Sequence, residues 1–366
     1  MYVRPETTGA LRSLKFKHMD HCSKIIGGMF GFVPEALSAG RIRATRPALF
    51  QETGLMLGTA RSALALLVKT LHPARVWLPS YLCDVMMVAV ARPGVSVCFY
   101  PVGGNLRITN ETWLGEVESG DIVVFIDYFG FNTWEPLGKK VRESGAVVVE
   151  DACQAMLNDV FSNQSHYVIA SPRKFVGVPD GGVLIAMPGT PLPAVTLPPP
   201  PGEWWLDAFS ATLLRGEFDR HGGDRKWFEL FRRFDPNGPV NPHAMSELSA
   251  CLLGRFDYAD IIRRRRENYE FLLSELGHIA LFPQLPAGMA PLGFPIRITA
   301  RDRVRKALFA HDIFPPVHWS LDGVVPDTFT DSHRLAHEIM TLPCDQRYDM
   351  ADMKRLTNCL SNELRS

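Results

Sequence analysis

A carboxylate, an amide, a hydroxyl and an amine lie close together in the chain, at Asp151, Gln154, Ser171 and Lys174. Asp151 closes the apolar run V-V-V-E-D. Ser171 and Lys174 follow a second apolar run at residues 167–170, and a glycine pair, Gly181 and Gly182, then turns the chain into a third run at 183–186. If these runs are strands, an acid and an amine stand at strand ends. In open α/β sheets ligands bind just beyond the carboxyl ends of strands, so both groups can face one pocket. A lysine near an aspartate is more often a surface ion pair of small energetic value. The apolar setting argues otherwise here, because a lysine in an interior is desolvated, loses its proton more readily and suits Schiff-base chemistry with a carbonyl.

The carbonyl cofactor that best fits such a lysine, with an acid partner for its ring nitrogen, is pyridoxal phosphate. Its phosphate also needs a seat. The segment G-T-A-R-S-A-L-A-L-L-V-K-T-L at residues 58–71 is rich in Ala and Leu from Ala60 onward, which predicts a helix with Gly58 and Thr59 at its start. A helix start offers N–H groups and the positive end of the dipole to an anion. An ordinary threonine cap accounts for the same residues.

The elements that must position these groups alternate. Apolar runs at 75–79, 95–100 and 122–128 read as strands, the last as one covered on both faces, and helices are predicted at about 82–90 and 138–144. This alternation implies βαβ crossovers and a mostly parallel sheet flanked by helices. The Pro-rich stretch 187–202 can be neither a helix nor an interior strand. Residues 204–234 read as helical, with Trp204, Trp205, Phe209, Trp227, Phe228 and Phe231 as packing residues. A helix from 245 continues through 276, with Arg263 to Arg266 as a solvated, ion-paired face. A strand at 294–298 and a helix at 301–311 belong to a smaller C-terminal α/β domain. The expected division is an N-terminal arm and segment at 1–50, a large domain at 51–240 and the smaller domain at 241–366.

With 366 residues and 46% hydrophobic content, the chain can bury the cores of two domains. Lys plus Arg and Asp plus Glu number 39 each, so no global field favours nucleic acid or an anionic membrane surface. No uncharged apolar run reaches the roughly 18 residues of a membrane span. Seven cysteines without a C-x-x-C pair suit reduced thiols, and a cytoplasmic location is expected.

The residues V-E-D-A-C-Q-A, S-P-R-K and D-G-G, in this order and with the G-T segment ahead of them, resemble the DegT/StrS family of pyridoxal-phosphate-dependent sugar aminotransferases. The similarity runs from about Gly58 to the C-terminal helices. It implies the aspartate aminotransferase fold (fold type I) and a homodimer with shared active sites. It also implies transfer of an amino group from an amino acid, glutamate in the family, to a keto-sugar carried on a nucleotide. By the same resemblance, Asp151 bonds the pyridine nitrogen, Gln154 the phenolic oxygen, and Lys174 the aldehyde carbon. Ser171, together with Gly58, Thr59 and Ala60, holds the phosphate. Asn241, in N-P-H-A-M-S-E, matches the asparagine that the family extends to the partner chain's phosphate. The sequence departs from the family where P-S-Y-L-C puts Cys83 in place of the aromatic that stacks on the ring, with Tyr81 as the substitute. It departs again where Asn-Pro-His replaces Asn-Tyr-Arg.

Other readings compete. Family relatives that dehydrate sugars carry His in place of the lysine, and Lys174 argues against that chemistry. Ser171 and Lys174 also form an S-x-x-K, but the S-D-N and K-T-G of serine acyl-transferases are missing. A degenerate homologue serving as scaffold or regulator fits the altered stacking residue, and another carbonyl substrate fits the same catalytic set.

Overall fold

A computed structural model gives the fold and describes residues 24–38, 47, 49 and 53–365. Of the expected N-terminal arm and segment at 1–50, residues 1–23, 39–46, 48 and 50 lie outside the described residues. In chain order the strands are β1 (Ile26–Gly27), β2 (Gly54–Leu57), β3 (Arg75–Pro79), β4 (Ser96–Tyr100), β5 (Ile122–Ile126), β6 (Val147–Asp151), β7 (Tyr167–Ala170), β8 (Gly182–Ala186), β9 (Phe294–Arg297), β10 (Ile313–Phe314) and β11 (Ile339–Leu342). The helices are α1 (Glu35–Ser38), α2 (Ala60–Leu71), α3 (Val85–Val90), α4 (Glu135–Glu143), α5 (Gly202–His221), α6 (Lys226–Phe234), α7 (Glu247–Leu253), α8 (Tyr258–Leu276), α9 (Arg301–Phe309), α10 (Thr330–Glu338) and α11 (Met350–Arg365).

Seven strands form one sheet in the order β2-β8-β7-β6-β5-β3-β4. The strands from β7 to β4 run parallel, and β8 alone is reversed, pairing antiparallel with both β7 and β2. β5 is I-V-V-F-I with every residue buried, the composition of a strand with helices on both faces. Register then sets the site. Ile126 pairs with Asp151 and Asp151 with Ile169, so Asp127, Asp151 and Ser171 leave the sheet side by side at its carboxyl edge. α2 packs against β7 and β8 and starts at that same edge. Its buried face, including Leu64, Leu66, Leu67 and Val68, joins the main core, each such side chain contributing about 1.5–3 kcal/mol of hydrophobic stabilisation.

The C-terminal elements carry a small antiparallel pair, β9 with β11, packed among α8, α9 and α11. Several predicted boundaries shift for local reasons. The helix expected over 204–234 is two helices, α5 ending at Gly222 with φ +69° and α6 starting at Lys226. The helix expected from 245 to 276 is broken between Leu253 and Tyr258, where Gly254 ends α7 and Asp257 accepts from the Asp260 N–H to start α8. α4 starts earlier than expected, because Pro136 in its first turn has no N–H to leave unpaired. Among the aromatic residues, Trp204 and Trp227 are buried but Phe228 is exposed. In the arginine run, Arg263 and Arg264 are the expected exposed ion pairs with Asp260 and Glu267. Arg265 is instead fully buried and donates to the carbonyls of Pro291 and Leu292.

Candidate active site

One cavity at the carboxyl edge of the large sheet is lined by Thr59, Ala60, Asp151, Gln154, Ser171 and Lys174. Six of the residues singled out in the sequence therefore share a wall, although they come from three separate segments of the chain. Asp151, the last residue of β6, is buried, and its Oδ1 accepts from the Cys153 N–H at 2.9 Å. Gln154 is 1% exposed. Its Oε1 accepts from the Phe129 N–H at 2.7 Å, which leaves Nε2 sealed from solvent with no partner. A buried donor without an acceptor costs about 1–3 kcal/mol, so Gln154 is poised for an acceptor that enters the cavity.

Ser171 starts a tight turn, Pro172–Lys174, directly after β7. That turn carries Lys174 outward. The interior lysine expected from the apolar flanks is instead an exposed one on the cavity wall, because the apolar run ends at Ala170. Thr59 does cap α2, its Oγ1 accepting from the Ser62 N–H at 3.1 Å, and it also donates to the Pro239 carbonyl at 2.9 Å. The cap and the cavity wall are thus one residue. Gly58 lies behind that wall, its carbonyl accepting from Gly181 at 2.8 Å. The D-G-G turn is fixed in turn by buried Asp180, whose carboxylate accepts from Ser246 Oγ at 2.5 Å and from the Ser246 N–H at 2.7 Å.

Tyr81 does not line the cavity. It is fully buried, with its ring 5.7 Å from that of Trp319, and Trp319 is the aromatic on the wall. Cys83 also faces the cavity, and burial pushes its thiol up to about 11, so it is protonated at neutral pH. Asn241 is exposed and is not among the residues that line this chain's cavity, its own carbonyl 2.6 Å from His243 Nδ1.

Sequence reasoning passed over several neighbours. Arg61, Arg173 and Asp235 line the cavity beside Thr59 and Lys174. His318, next to Trp319, is half-buried, with Nδ1 2.9 Å from Thr341 Oγ1. Burial lowers its pKa to about 3, and the Lys174 charge acts in the same direction, so the ring is neutral. Behind Asp151 lie two further buried carboxyls, Asp127 and Glu150. Burial raises both; Asp127 raises Glu150 further, whereas a hydrogen bond with Glu150 pulls Asp127 back down. Trp134 Nε1 donates to Asp127 at 2.8 Å and Ser165 Oγ to Glu150 at 2.6 Å.

No protein-family model matches the sequence, and no curated protein matches it. Solved structures match its fold. The aminotransferase TlmJ from Streptoalloteichus hindustanus is 18% identical and superposes with a TM-score of 0.66 over 93% of this chain and 99% of its own. A DegT DnrJ EryC1 StrS aminotransferase from Brucella abortus is 16% identical, with a TM-score of 0.59 over 90% of this chain and 87% of its own. NtdA from Bacillus subtilis, solved with bound cofactor PMP, is 13% identical, with a TM-score of 0.63 over 88% of this chain and 78% of its own. The chain therefore has the α/β fold shared by these aminotransferases, as the motif order led one to expect.

Proposed function

We propose that the protein is a pyridoxal-phosphate-dependent aminotransferase. The observation that carries this reading is the convergence of Asp151, Gln154, Ser171, Lys174 and the start of α2 on one cavity. The residues fit the cofactor. A buried carboxylate suits a protonated pyridine nitrogen, and the orphan Gln154 Nε2 suits the phenolic oxygen. Ser171 and the first turn of α2 suit the phosphate, and an accessible amine suits the aldehyde. Bound pyridoxal phosphate supplies an electron-accepting ring that stabilises negative charge at a substrate carbon.

The chain's own residues do the rest. Asp151 keeps the proton on the ring nitrogen, which its burial behind the Ala152–Gln154 turn protects from competing water. Lys174 Nζ, on the wall and free to move, takes the proton from the amino donor's Cα and returns one to the acceptor. Neutral His318, close enough to feel the Lys174 charge, adds no charge of its own. The motif resemblance in V-E-D-A-C-Q-A, S-P-R-K and D-G-G is what supports glutamate as donor and a nucleotide-linked keto-sugar as acceptor. In this reading residues 51–240 bind the cofactor and 241–366 form the smaller domain. The working unit is a homodimer in which exposed Asn241 reaches the neighbouring chain's phosphate.

Borohydride reduction of the cofactor-loaded protein, followed by peptide mapping, tests the reading. The pyridoxyl label is expected on Lys174 and is expected to be lost when glutamate is added before reduction. A label on another lysine, or one that glutamate leaves unchanged, refutes it.

A further inference from the structure

The cavity wall holds a guanidinium that the roles above leave unused. Arg173 sits between the phosphate-side Ser171 and the amine of Lys174, in the same turn, and its side chain is 19% exposed. One nitrogen is 3.0 Å from Asp235 Oδ1, and its Cζ is 5.4 Å from the centre of the Phe234 ring. Its Nε is sealed from solvent and has no acceptor. Gln154 Nε2, in the same cavity, is orphaned in the same way, so two buried donors await a ligand.

The neighbouring Arg61 is different. It donates to the carbonyls of Asp235 at 2.9 Å, Pro236 at 3.0 Å and Gly238 at 3.4 Å, and so acts as a strut for the 235–238 loop. Burial and the nearby Arg173 charge both lower its hold on its proton, which shows that the two cations lie close together. Around the cavity, Arg61, Arg173 and Lys174 face only Asp151 and Asp235, three cations against two carboxylates. The start of α2 adds the positive end of a helix on the same wall.

We propose that Arg173 is a ligand of the cofactor's phosphate, for which Asp235 is the competing partner; this rests on the cofactor reading above. The chemistry favours phosphate because Arg173 shares its wall with Ser171 and the first turn of α2, a set of several donors converging on one side of the cavity. A guanidinium matches phosphate oxygens with two donors, which a lysine in its place would not.

Equilibrium dialysis of the full chain with pyridoxamine 5′-phosphate and with pyridoxamine tests this. The two ligands differ only in the phosphate, and neither needs a covalent bond to Lys174. Arg173→Gln should raise the Kd for pyridoxamine 5′-phosphate by roughly 10- to 100-fold, the range of one charge-assisted bond, with pyridoxamine unchanged. Arg173→Lys should fall between and keeps the test open if the glutamine variant folds poorly. Asp235→Asn should bind pyridoxamine 5′-phosphate at least as tightly as the wild type, because it removes the competing carboxylate and leaves the cation. The proposal is overturned if Arg173→Gln binds the phosphate form normally, if it loses both ligands in parallel, or if Asp235→Asn reproduces its loss. It is likewise overturned if only competition by glutamate weakens, since Arg173 would then serve the donor's carboxylate. A wild-type protein that binds neither ligand refutes the cofactor reading itself, a result distinct from these.

Discussion

The glycine pair offers a direct perturbation of the phosphate seat at a residue that never touches a ligand. Gly182 opens β8 and pairs with Leu57, directly beneath the first turn of α2. A Cβ at this position would stand 2.2 Å from the Thr59 carbonyl carbon, 2.3 Å from its oxygen and 2.4 Å from the Ala60 nitrogen, where ordinary contact begins at 3.4 Å. All three are backbone atoms, so no rotamer change relieves the clash and something must move by about 1 Å. β8 is bonded to β2 on one side and β7 on the other, so the end of α2 is the part that yields. Overpacking of this kind costs about 1–3 kcal/mol, a fall in melting temperature of roughly 2–10 °C. A 1 Å displacement of a positioning group costs about 100-fold in function. Gly182→Ala should therefore fold, melt somewhat lower, and bind pyridoxamine 5′-phosphate roughly 10- to 100-fold more weakly. Calorimetry and dialysis read the two effects separately. Gly115→Ala is the control, because its Cβ would meet nothing within 4 Å, and it should stay within about 0.5 kcal/mol of the parent. A Gly182→Ala protein that melts and binds like the parent would show that α2 is not locked against β8 as described.

Two further outcomes follow from the site. His318 has a pKa lowered to about 3 against 6.5 for the free side chain, so its neutral form contributes stability that is complete above about pH 6.5 and is lost as pH falls toward 3. His318→Gln should lack that loss, so the stability difference between parent and variant should shift in the variant's favour by up to about 1.4 kcal/mol per pH unit below about 6.5. Asp127 and Glu150, raised by burial, respond in the opposite sense but cancel between the two proteins. Denaturant unfolding at several pH values measures this difference, and a constant one counts against the assignment. For the proposed homodimer, Lys174→Ala and Asn241→Ala chains should each be impaired alone and regain part of the activity when co-refolded, since one of the two sites in a mixed dimer keeps both residues. Confirmed mixed dimers without recovery would place Asn241 outside the neighbouring site.

Much of the fold was legible because it depends on short-range patterns. The buried runs I-V-V-F-I and V-V-V-E-D read directly as covered parallel strands, and the Ala- and Leu-rich segment after Thr59 reads as a capped helix. The errors lie where one residue overrides a periodic pattern. Gly254 and the Asp257 cap split α7 from α8, although the residues on either side are all helix formers. Gly222 separates α5 from α6 in the same way. Arg265 is the clearest case of a tertiary override. In a run of four arginines nothing local marks one as interior, and it is the carbonyls of Pro291 and Leu292 and the Gln346 side-chain oxygen, brought near by the fold, that accept from the guanidinium there.

The same distinction separates the site residues that the sequence made visible from those it hid. Asp151, Gln154, Ser171 and Lys174 lie at or near the ends of adjacent strands, so a parallel register alone brings them to one edge. Trp319, Asp235 and His318 reach that region from irregular segments or helix ends far along the chain. No spacing rule connects them to Asp151, so Tyr81 is the expected aromatic and Trp319 goes unmarked in the sequence. The expected burial of Lys174 failed for a more local reason. Apolar neighbours at 167–170 report the environment of β7, whereas the Pro172–Lys174 turn takes the next residues out of the sheet. In the proposed reading that exit is useful chemically, because a lysine that is to hold a carbonyl carbon and then move a proton needs room to swing, and a fully enclosed one has none. Burial falls instead on Asp151 and Gln154, the two groups whose proposed roles require fixed positions, and a fixed position in a shielded site is where a charge-assisted bond is strongest.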